Sequence, residues 1–380
     1  MHFELTEEHR MIQQAAREFA QTELLPGVIE RDEHQKFPAE QVKKMGELGF
    51  LGMMVDPKYN GGGMDTISYV LAMEEISKVD ASAAVIMSVN NSLVCWGLEN
   101  FGNEEQKQKY LTRLATGEII GAFCLSEPEA GSDATSQRTT AIDMGDHYLL
   151  NGTKNWITNG SSASVYLVVA QTNREAGHKG INCLIVEKGT PGFEIGPKEN
   201  KLGIRGSDTH TLQFNDVKVP KENRIGEDGF GFKFAMKTLA GGRIGIAAQA
   251  LGIASGAYEI ALAYSKVRKA FGTEIMNHQA IQFKLADMAT EIEASRLLCL
   301  KAAWEKDHHL DYAMSGSIAK LYASKTAMAV ASEAIQVHGG NGYVKEYHVE
   351  RFLRDAKITE IYEGTSEVQR IVISRGLLKG

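Results

Sequence analysis

Short, closely spaced extended segments lie between two helical regions, and this order constrains the fold most strongly. From about residue 119, apolar stretches such as Val165–Val169 and Cys183–Val186 alternate with turns that contain Gly or Pro, without helical periodicity between them. Strands joined this closely favour an antiparallel β sandwich or barrel over a doubly wound parallel sheet. No Gly-x-Gly-x-x-Gly motif follows a strand, which argues against a Rossmann dinucleotide site.

One dipeptide within this region predicts a hairpin. Asn151–Gly152 separates the apolar segments 148–150 and 154–157, and Asn-Gly is a strong two-residue turn signal. On the second segment, Trp156 and Thr158 are two residues apart. Their side chains are therefore expected on one face of a strand.

The flanking regions carry helical patterns. Apolar residues behind Thr6 fall on one helix face, and Ile281, Leu285, Met288 and Ile292 recur at steps of four, three and four. The chain is therefore predicted to be mainly α with a central β domain. We expect an N-terminal α-helical domain at 1–118, a middle β domain at 119–229 and a C-terminal four-helix bundle at 230–380.

Composition excludes several functions. A net charge of -7 argues against nucleic-acid binding, and no segment approaches the apolar length of a membrane span. The four cysteines are scattered without a Cys-x-x-Cys pair, and the histidines lack metal-ligand spacing, so neither a disulfide framework nor a metal site is expected. A reducing cytoplasm fits this cysteine usage best.

The triplet Tyr362-Glu363-Gly364 can build a buried base. A carboxylate beside an aromatic ring can be desolvated, which raises its pKa towards neutral pH, and Gly364 allows a ligand close to the backbone. A surface turn is the alternative for a lone triplet of this kind. Other motifs are needed to choose between the two.

Four further motifs accompany this triplet in order along the chain. With it, they resemble the acyl-CoA dehydrogenases over essentially all 380 residues. The segments that carry the resemblance are Glu127-Pro128-Glu129-Ala130-Gly131-Ser132-Asp133, Asn155-Trp156-Ile157-Thr158-Asn159-Gly160, Arg268-Lys269-Ala270-Phe271-Gly272, Gln336-Val337-His338-Gly339-Gly340-Asn341-Gly342 and Ile361 to Arg370.

The resemblance implies FAD as cofactor and assigns residues to it. Some assigned residues belong to the FAD bound in the same subunit, and others to the FAD pyrophosphate and adenosine of a neighbouring subunit, which implies at least a dimer and most simply a tetramer. The first set is Leu125, Ser126, Ser132, Trp156, Ile157, Thr158, Thr365, Ser366 and Glu367, and the second is Arg268, Phe271, Gln279, Gln336, Val337, Gly339 and Gly340.

The resemblance also implies the reaction, α,β-dehydrogenation of an acyl-CoA thioester with Glu363 as base. Some family branches carry the base just before the matched Arg243, where this chain has Gly242. Ala240 stands where members often have an Asp associated with CoA contact, which leaves that contact in doubt. The implied substrate-binding residues are Ser132, Arg243, Tyr362 and Gly364.

The segment Ile86 to Leu93 is similar to short-chain members, so butyryl-CoA is the expected substrate and an electron-transferring flavoprotein the expected electron acceptor. A bacterial chain would work in the cytoplasm, and a processed eukaryotic chain in the mitochondrial matrix. Three alternatives stay open: a branched short-chain dehydrogenase, an acyl-CoA oxidase, which would form peroxide without an electron-transferring flavoprotein, and a helical binding protein without catalysis, which would be colourless.

Overall fold

The computed structural model describes residues 4–378, and its first part is helical. Thr6 caps the first helix by accepting a hydrogen bond from the His9 N–H at 3.1 Å. Three π-helical segments, Ala20–Leu24, Val89–Cys95 and Lys107–Leu111, extend helices in this part. The α-helices are α1 (Glu7–Phe19), α2 (Val28–Glu33), α3 (Ala39–Glu47), α4 (Thr66–Ser77), α5 (Ala81–Ser88), α6 (Trp96–Phe101), α7 (Glu104–Gln106) and α8 (Thr112–Ala115).

A single eight-stranded sheet follows. Its strands are β1 (Gly121–Cys124), β2 (Thr140–Asp143), β3 (His147–Thr158), β4 (Val165–Gln171), β5 (Ile181–Glu187), β6 (Phe193–Lys198), β7 (Thr209–Pro220) and β8 (Arg224–Ile225). The order is β6-β7-β3-β2-β4-β5-β8, with β1 also pairing β4. Most pairs are antiparallel as predicted, but β1 and β2 run parallel to β4. The sheet is therefore mixed, and it does not close into a barrel.

The predicted hairpin at Asn151–Gly152 is wrong. Residues 147–158 form one continuous strand, β3, which runs antiparallel to β7. The register shifts between Leu150 and Gly152, so the dipeptide makes a bulge instead of a turn. Gly152 has a φ of +144°, and a Cβ there would lie 2.5 Å from Thr139 Oγ1, which explains the glycine.

The sheet contributes to two apolar cores because alternate side chains point to opposite faces. Along β4, Leu167 and Val169 pack with the helices, whereas Tyr166 and Val168 belong to a separate core on the other face. All seven residues of β4 are buried. The central strand therefore joins the helical parts to the sheet.

The C-terminal part is a helical bundle, as predicted. Its first four helices pack on one another, and a last helix packs on the third of them. The small-residue face that includes Ala247, Ala254 and Ala261 is fully buried in the first of these helices. The elements are α9 (Gly231–Val267), β9 (Lys269–Ala270), β10 (Thr273–Glu274), α10 (Gln279–Asp307), α11 (Ala313–His338), α12 (Val349–Thr359) and α13 (Ser366–Leu378).

Two helical stretches, Ala81–Phe101 and Gly231–Val267, have the length and apolar composition of a membrane span. These two stretches contradict the expectation that no segment approaches the apolar length of a membrane span. Of the apolar windows in these stretches, 94% and 72% of the residues are buried inside the fold. Their apolar character therefore serves the packing of the core.

Candidate active site

Glu363 lies in the turn between α12 and α13, in a left-handed conformation. Its φ is +51°, and that of Gly364 is +95°. This conformation costs about 1–2 kcal/mol for a residue with a side chain, so surrounding contacts must hold it. Lys320 Nζ donates to the carbonyl oxygens of Thr359 at 3.0 Å and Gly364 at 2.8 Å, and Gln369 Nε2 donates to Gly364 O at 2.7 Å.

The Glu363 carboxylate faces α9. Its Oε2 atom is buried and has no hydrogen-bond partner among residues 4–378. A Cβ built at Gly242 would overlap Oε2 and would lie 2.8 Å from Leu93 Cδ2. Burial raises the pKa of Glu363 to about 7, although Lys320 and Arg243 act in the opposite direction. Such a carboxylate can accept a proton near neutral pH.

Arg243 approaches the same turn from α9. It is 7% exposed, and its Nη1 donates to Ser317 Oγ at 3.3 Å. Its buried Nε has no partner within the described part of the chain. Burial lowers the pKa of Arg243, and the nearby Glu363 partly offsets this effect. The turn thus faces two cationic side chains, one from α9 and one from α11.

Buried polar groups line the helices beside the carboxylate, one helical turn along α9 from Gly242. A Cβ at Gly245 would lie 2.6 Å from Tyr69 Oη and 2.7 Å from Ser88 Oγ, and Tyr69 donates to Ser88 Oγ at 3.1 Å. The Tyr362 hydroxyl donates to Gln249 Oε1. These groups limit the space beyond the base.

Sequence reasoning missed Lys320, Tyr69 and Gln249. None belongs to a local motif, because each comes from a helix far along the chain from Glu363. A lysine inside an otherwise apolar helical pattern was the available signal for Lys320, which is 1% exposed. The contacts that give these residues meaning exist only after the helices pack.

A buried lysine holds the loop after β1, which contains Leu125 and Ser126. Lys154 is fully buried, and its Nζ donates to Leu125 O at 2.9 Å, Glu127 Oε1 at 2.8 Å and Gln137 Oε1 at 3.2 Å. Burial lowers the pKa of Lys154. Burial alone would raise the pKa of Glu127, but Lys154 and backbone donors bring it below its usual range.

Trp156 lies next to this loop, because the Asn155 N–H donates to Ser126 O at 2.8 Å. The register between β3 and β7 shifts between Lys154 and Ile157, and Trp156 has a φ of +62°. The simple alternation expected for Trp156 and Thr158 is therefore interrupted by a bulge. The Trp156 side chain is 62% exposed while Ile157 is 2% exposed, so an indole is presented beside the loop.

These features fit a planar cofactor. An exposed indole can cover one face of an aromatic ring system, and a loop of backbone amides and hydroxyls can bond its polar edge. Ser132 is exposed, and Thr158 is half-buried at the end of β3. Thr365 caps α13 by accepting from the Val368 N–H at 3.3 Å, whereas Ser366 Oγ is buried without a partner in the described chain. Glu367 is exposed.

The residues predicted to bind the FAD of a neighbouring subunit lie at the end of the bundle away from Glu363. Tyr264 stacks on His338 at 4.2 Å between ring centroids and accepts a hydrogen bond from Asn341 Nδ2 at 2.9 Å. These contacts bring the end of α9 to the end of α11. The residues at or next to this end are Arg268, Phe271, Gln279, Gln336, Val337, Gly339 and Gly340. Phe271 is 97% exposed.

This distal group is far from Glu363 in the same chain. Arg268 lies 26 residues after Gly242, directly after the end of the continuous helix α9. A rise of about 1.5 Å per residue separates them by about 39 Å. Within one chain, Arg268 is therefore far from the turn that carries Glu363.

Within residues 4–378, no group of three or more His, Cys, Asp or Glu side chains is arranged to hold a metal ion. Cys95, Cys124, Cys183 and Cys299 are all buried and free. Burial raises the pKa of each thiol.

Comparison with known proteins identifies the family. The acyl-CoA dehydrogenase N-terminal, middle and C-terminal domain families match residues 6–118, 122–217 and 229–378. The chain belongs to the acyl-CoA dehydrogenase family, whose members are FAD-dependent enzymes. The resemblance and the enzyme class predicted from the motifs are thereby confirmed.

Individual relatives are similar over nearly their full length. The short-chain specific acyl-CoA dehydrogenase of Clostridium acetobutylicum is 52% identical over 98% of this chain and 99% of its own. Among solved structures, butyryl-CoA dehydrogenase from Megasphaera elsdenii has a TM-score of 0.98, with 48% identity and full coverage of both chains. A chain in the structure of the electron transferring flavoprotein of Acidaminococcus fermentans has a TM-score of 0.99, 50% identity and full coverage of both chains. The relatives include bacterial and mitochondrial proteins.

Proposed function

We propose that this protein is a short-chain acyl-CoA dehydrogenase that oxidises butyryl-CoA to crotonyl-CoA, with Glu363 as the base. The observation that carries the proposal is the Glu363 carboxylate, which is held in a left-handed turn with a buried, unpartnered Oε2 and a pKa of about 7. A structural glutamate would be paired or solvated. This one is arranged to receive a proton.

The proton is taken from the α-carbon of the thioester. Ionised Glu363 accepts it, and negative charge develops on the thioester oxygen as the α-carbon loses its proton. The Glu363 N–H forms no hydrogen bond to residues 4–378, so it is free to donate to that oxygen as one half of an oxyanion hole. Ser132, Arg243, Tyr362 and Gly364 are the further substrate-binding residues of the proposal.

A bound FAD would supply the acceptor for the β-hydrogen and its electron pair. Leu125, Ser126, Ser132, Trp156, Ile157 and Thr158 would hold it on the sheet side, and Thr365, Ser366 and Glu367 on the side of the base turn. Lys154 holds the loop that contains Leu125 through its hydrogen bond to Leu125 O. The exposed indole of Trp156 would cover one face of the bound ring and exclude water from it.

The distal residues are proposed to serve a neighbouring subunit. Arg268 can clamp a pyrophosphate by bidentate hydrogen bonds, yet it lies about 39 Å along α9 from Gly242. The same end exposes Phe271 and Tyr343, at 97% and 88%. Both observations support a homo-oligomer of at least two subunits, in which this end reaches the FAD of another copy. We propose a tetramer built as a dimer of dimers.

The similarity to a chain in the Acidaminococcus fermentans structure supports an electron-transferring flavoprotein as electron acceptor. We propose that the protein works in the bacterial cytoplasm or in the mitochondrial matrix, because its relatives include bacterial and mitochondrial proteins. No nucleic acid and no membrane partner is part of the proposal.

A short acyl chain is favoured by the polar groups beyond the base. Tyr69 and Ser88 meet α9 at Gly245, one turn from Gly242, and a turn of helix spans about 5.4 Å. An acyl chain that extends past the α-carbon along α9 would soon meet these hydroxyls. Each methylene that cannot be accommodated should cost about 1–3 kcal/mol, so kcat/KM is expected to peak at C4 and to fall by C8.

Anaerobic bleaching of the purified yellow protein by acyl-CoAs from C4 to C16 tests the proposal. Rapid bleaching by butyryl-CoA and slow bleaching by octanoyl-CoA are expected. An optimum at C8 or beyond would refute the short chain, and faster bleaching by isobutyryl-CoA would show a branched substrate. A colourless protein that cannot take up FAD would refute the enzyme, and peroxide formation without an electron-transferring flavoprotein would show an oxidase.

A further inference from the structure

Lys320 is an unusual neighbour for a catalytic carboxylate. It comes from the middle of α11, and 1% of its surface is exposed. A buried ammonium needs partners, and Lys320 uses two backbone oxygens: Thr359 O at the end of α12 and Gly364 O after the base. It therefore bridges the two sides of the turn that carries Glu363.

The bridge acts where the backbone is strained. Glu363 and Gly364 are both left-handed, with φ values of +51° and +95°. Gln369 also donates to Gly364 O, at 2.7 Å, but it reaches only the later side of the turn. Of the two side chains, only Lys320 contacts both sides of the turn. It therefore limits how far Glu363 can move away from Gly242.

Lys320 also acts by its charge. Burial lowers the pKa of Lys320 to about 8, with Glu363 acting against this and Arg243 adding to it. Lys320 in turn holds the pKa of Glu363 below the value that burial alone would produce. The other ionisable groups around the base are Arg243 on α9, Glu360 at the end of α12, Tyr362 in the turn and Tyr69 on α4.

We propose that Lys320 is a positioning residue for the base: its ammonium clamps the turn through Thr359 O and Gly364 O and holds the Glu363 carboxylate beside Gly242. This inference rests on the proposed function of Glu363. It assigns no contact with substrate or cofactor to Lys320. Its two effects, on geometry and on charge, predict separate changes in one experiment.

The experiment measures proton abstraction without redox chemistry. Acetyl-CoA has α-hydrogens and no β-carbon, so deuterium uptake at its α-carbon in D2O reports the base alone. The exchange rate of the holoenzyme is followed by NMR from pH 5.5 to 9.5 for the wild type, Lys320→Met and Lys320→Gln. Lys325→Met is the matched control, because Lys325 is an exposed lysine on the same helix. FAD content and crotonyl-CoA affinity are measured for each protein.

In Lys320→Met, the plateau exchange rate should fall by about 10²-fold, because small displacements of a reacting group cost that much. The midpoint of the pH profile should rise by about one unit, since a nearby opposite charge is lost. FAD content and crotonyl-CoA affinity should stay within about threefold of wild type. Lys325→Met should match the wild type in every measurement.

An unchanged plateau rate in whichever Lys320 variant retains FAD would overturn the inference. So would losses of exchange, FAD content and product affinity in equal proportion, since they would show a merely structural lysine. If the wild type itself neither exchanges acetyl-CoA protons nor bleaches with butyryl-CoA, the proposed function has failed instead. The two failures are therefore distinguishable.

Discussion

Glu363 combines a left-handed backbone, a buried oxygen without a partner and two nearby cations. Each feature alone occurs in structural residues, because ion-pair networks also shift pKa values. Together they describe a carboxylate that is held in place but left free to react. The glycine at 242 completes the arrangement, since any side chain there would occupy the position of Oε2.

Glu363→Gln tests the base. The amide is nearly isosteric and cannot accept the proton, so flavin reduction by butyryl-CoA should fall by at least about 10³-fold with FAD retained. In the wild type, the reduction rate should rise with pH through about 7, where Glu363 ionises. Stopped-flow bleaching of both proteins between pH 5.5 and 9 measures this. A variant that reduces at a near-normal rate would remove Glu363 from the mechanism.

The same substitution changes the pH dependence of stability. The pKa of Glu363 is raised from 4.5 to about 7 in the folded protein, so its ionised form destabilises the fold. The penalty is absent below pH 4.5, grows as the pH rises and is complete above 7. Glu363→Gln should gain stability relative to wild type over this window, by about 1–3 kcal/mol. Unfolding curves at pH 5 and 8 check whether the difference grows.

Gly242→Ala should impair the base by steric overlap. The new methyl group would occupy the position of Glu363 Oε2 and displace the carboxylate, which should lower the reduction rate by about 10²-fold. Gly241→Ala is the control, because its nearest neighbour would be Lys306 Nζ at 3.8 Å. Both substitutions change helix propensity equally, so the ratio of their rates isolates the overlap. Equal rates would contradict it.

At the scale of elements, the single strand β3 contributes apolar side chains to the core, the exposed indole of Trp156 and the buried ammonium of Lys154. Two bulges make this possible, since they interrupt the alternation and turn Trp156 outward while Ile157 stays buried. Lys154 connects β3 to the loop after β1 through three hydrogen bonds. The loop is therefore held by the same strand that presents the indole.

Lys154→Met should loosen this loop. The substitution leaves the Glu127 carboxylate buried without its cation, which should cost about 3–5 kcal/mol and weaken FAD retention. Lys218→Met, at an exposed position on β7, is the control. Adding Glu127→Gln to Lys154→Met should recover part of the loss, because no unpaired charge remains. A thermal-unfolding cycle over the wild type, Lys154→Met, Glu127→Gln and the double variant would detect the absence of such recovery.

At the scale of the whole molecule, α9 separates two groups of residues by a distance that one subunit cannot close. Gly242 and Arg243 serve the base turn near its start, whereas Arg268 follows its end. A straight helix of this length is a rigid spacer. The proposed assembly uses it to deliver cationic and aromatic side chains to another copy.

Arg268→Ala should therefore weaken FAD retention and assembly together. A ligand that binds only the assembled form stabilises that form by mass action, so loss of its pyrophosphate contact affects both. Gel filtration with and without added FAD measures the oligomer, and absorbance measures the flavin. Lys266→Ala, an exposed position two residues earlier, is the control. An unchanged oligomer with full flavin content would leave Arg268 as a surface arginine.

The sequence by itself determined the order of helical, β and helical parts, because periodicities of 3.6 and 2 are local properties. It also identified the family and singled out Glu363 as the candidate base, since the motifs are contiguous. It misread Asn151–Gly152 as a turn, because the same dipeptide fits a bulge when β7 runs alongside. The parallel pairing of β1 and β2 with β4 was equally invisible locally.

Only the tertiary structure decided what surrounds the base. Lys320, Gln249 and Tyr69 lie on three different helices, and nothing in their local sequence relates them to Glu363. Packing brings them to one turn, where burial and charge set the pKa and two carbonyl contacts set the conformation. Identity can be read from local motifs, but the strength and position of the base depend on contacts between distant parts of the chain.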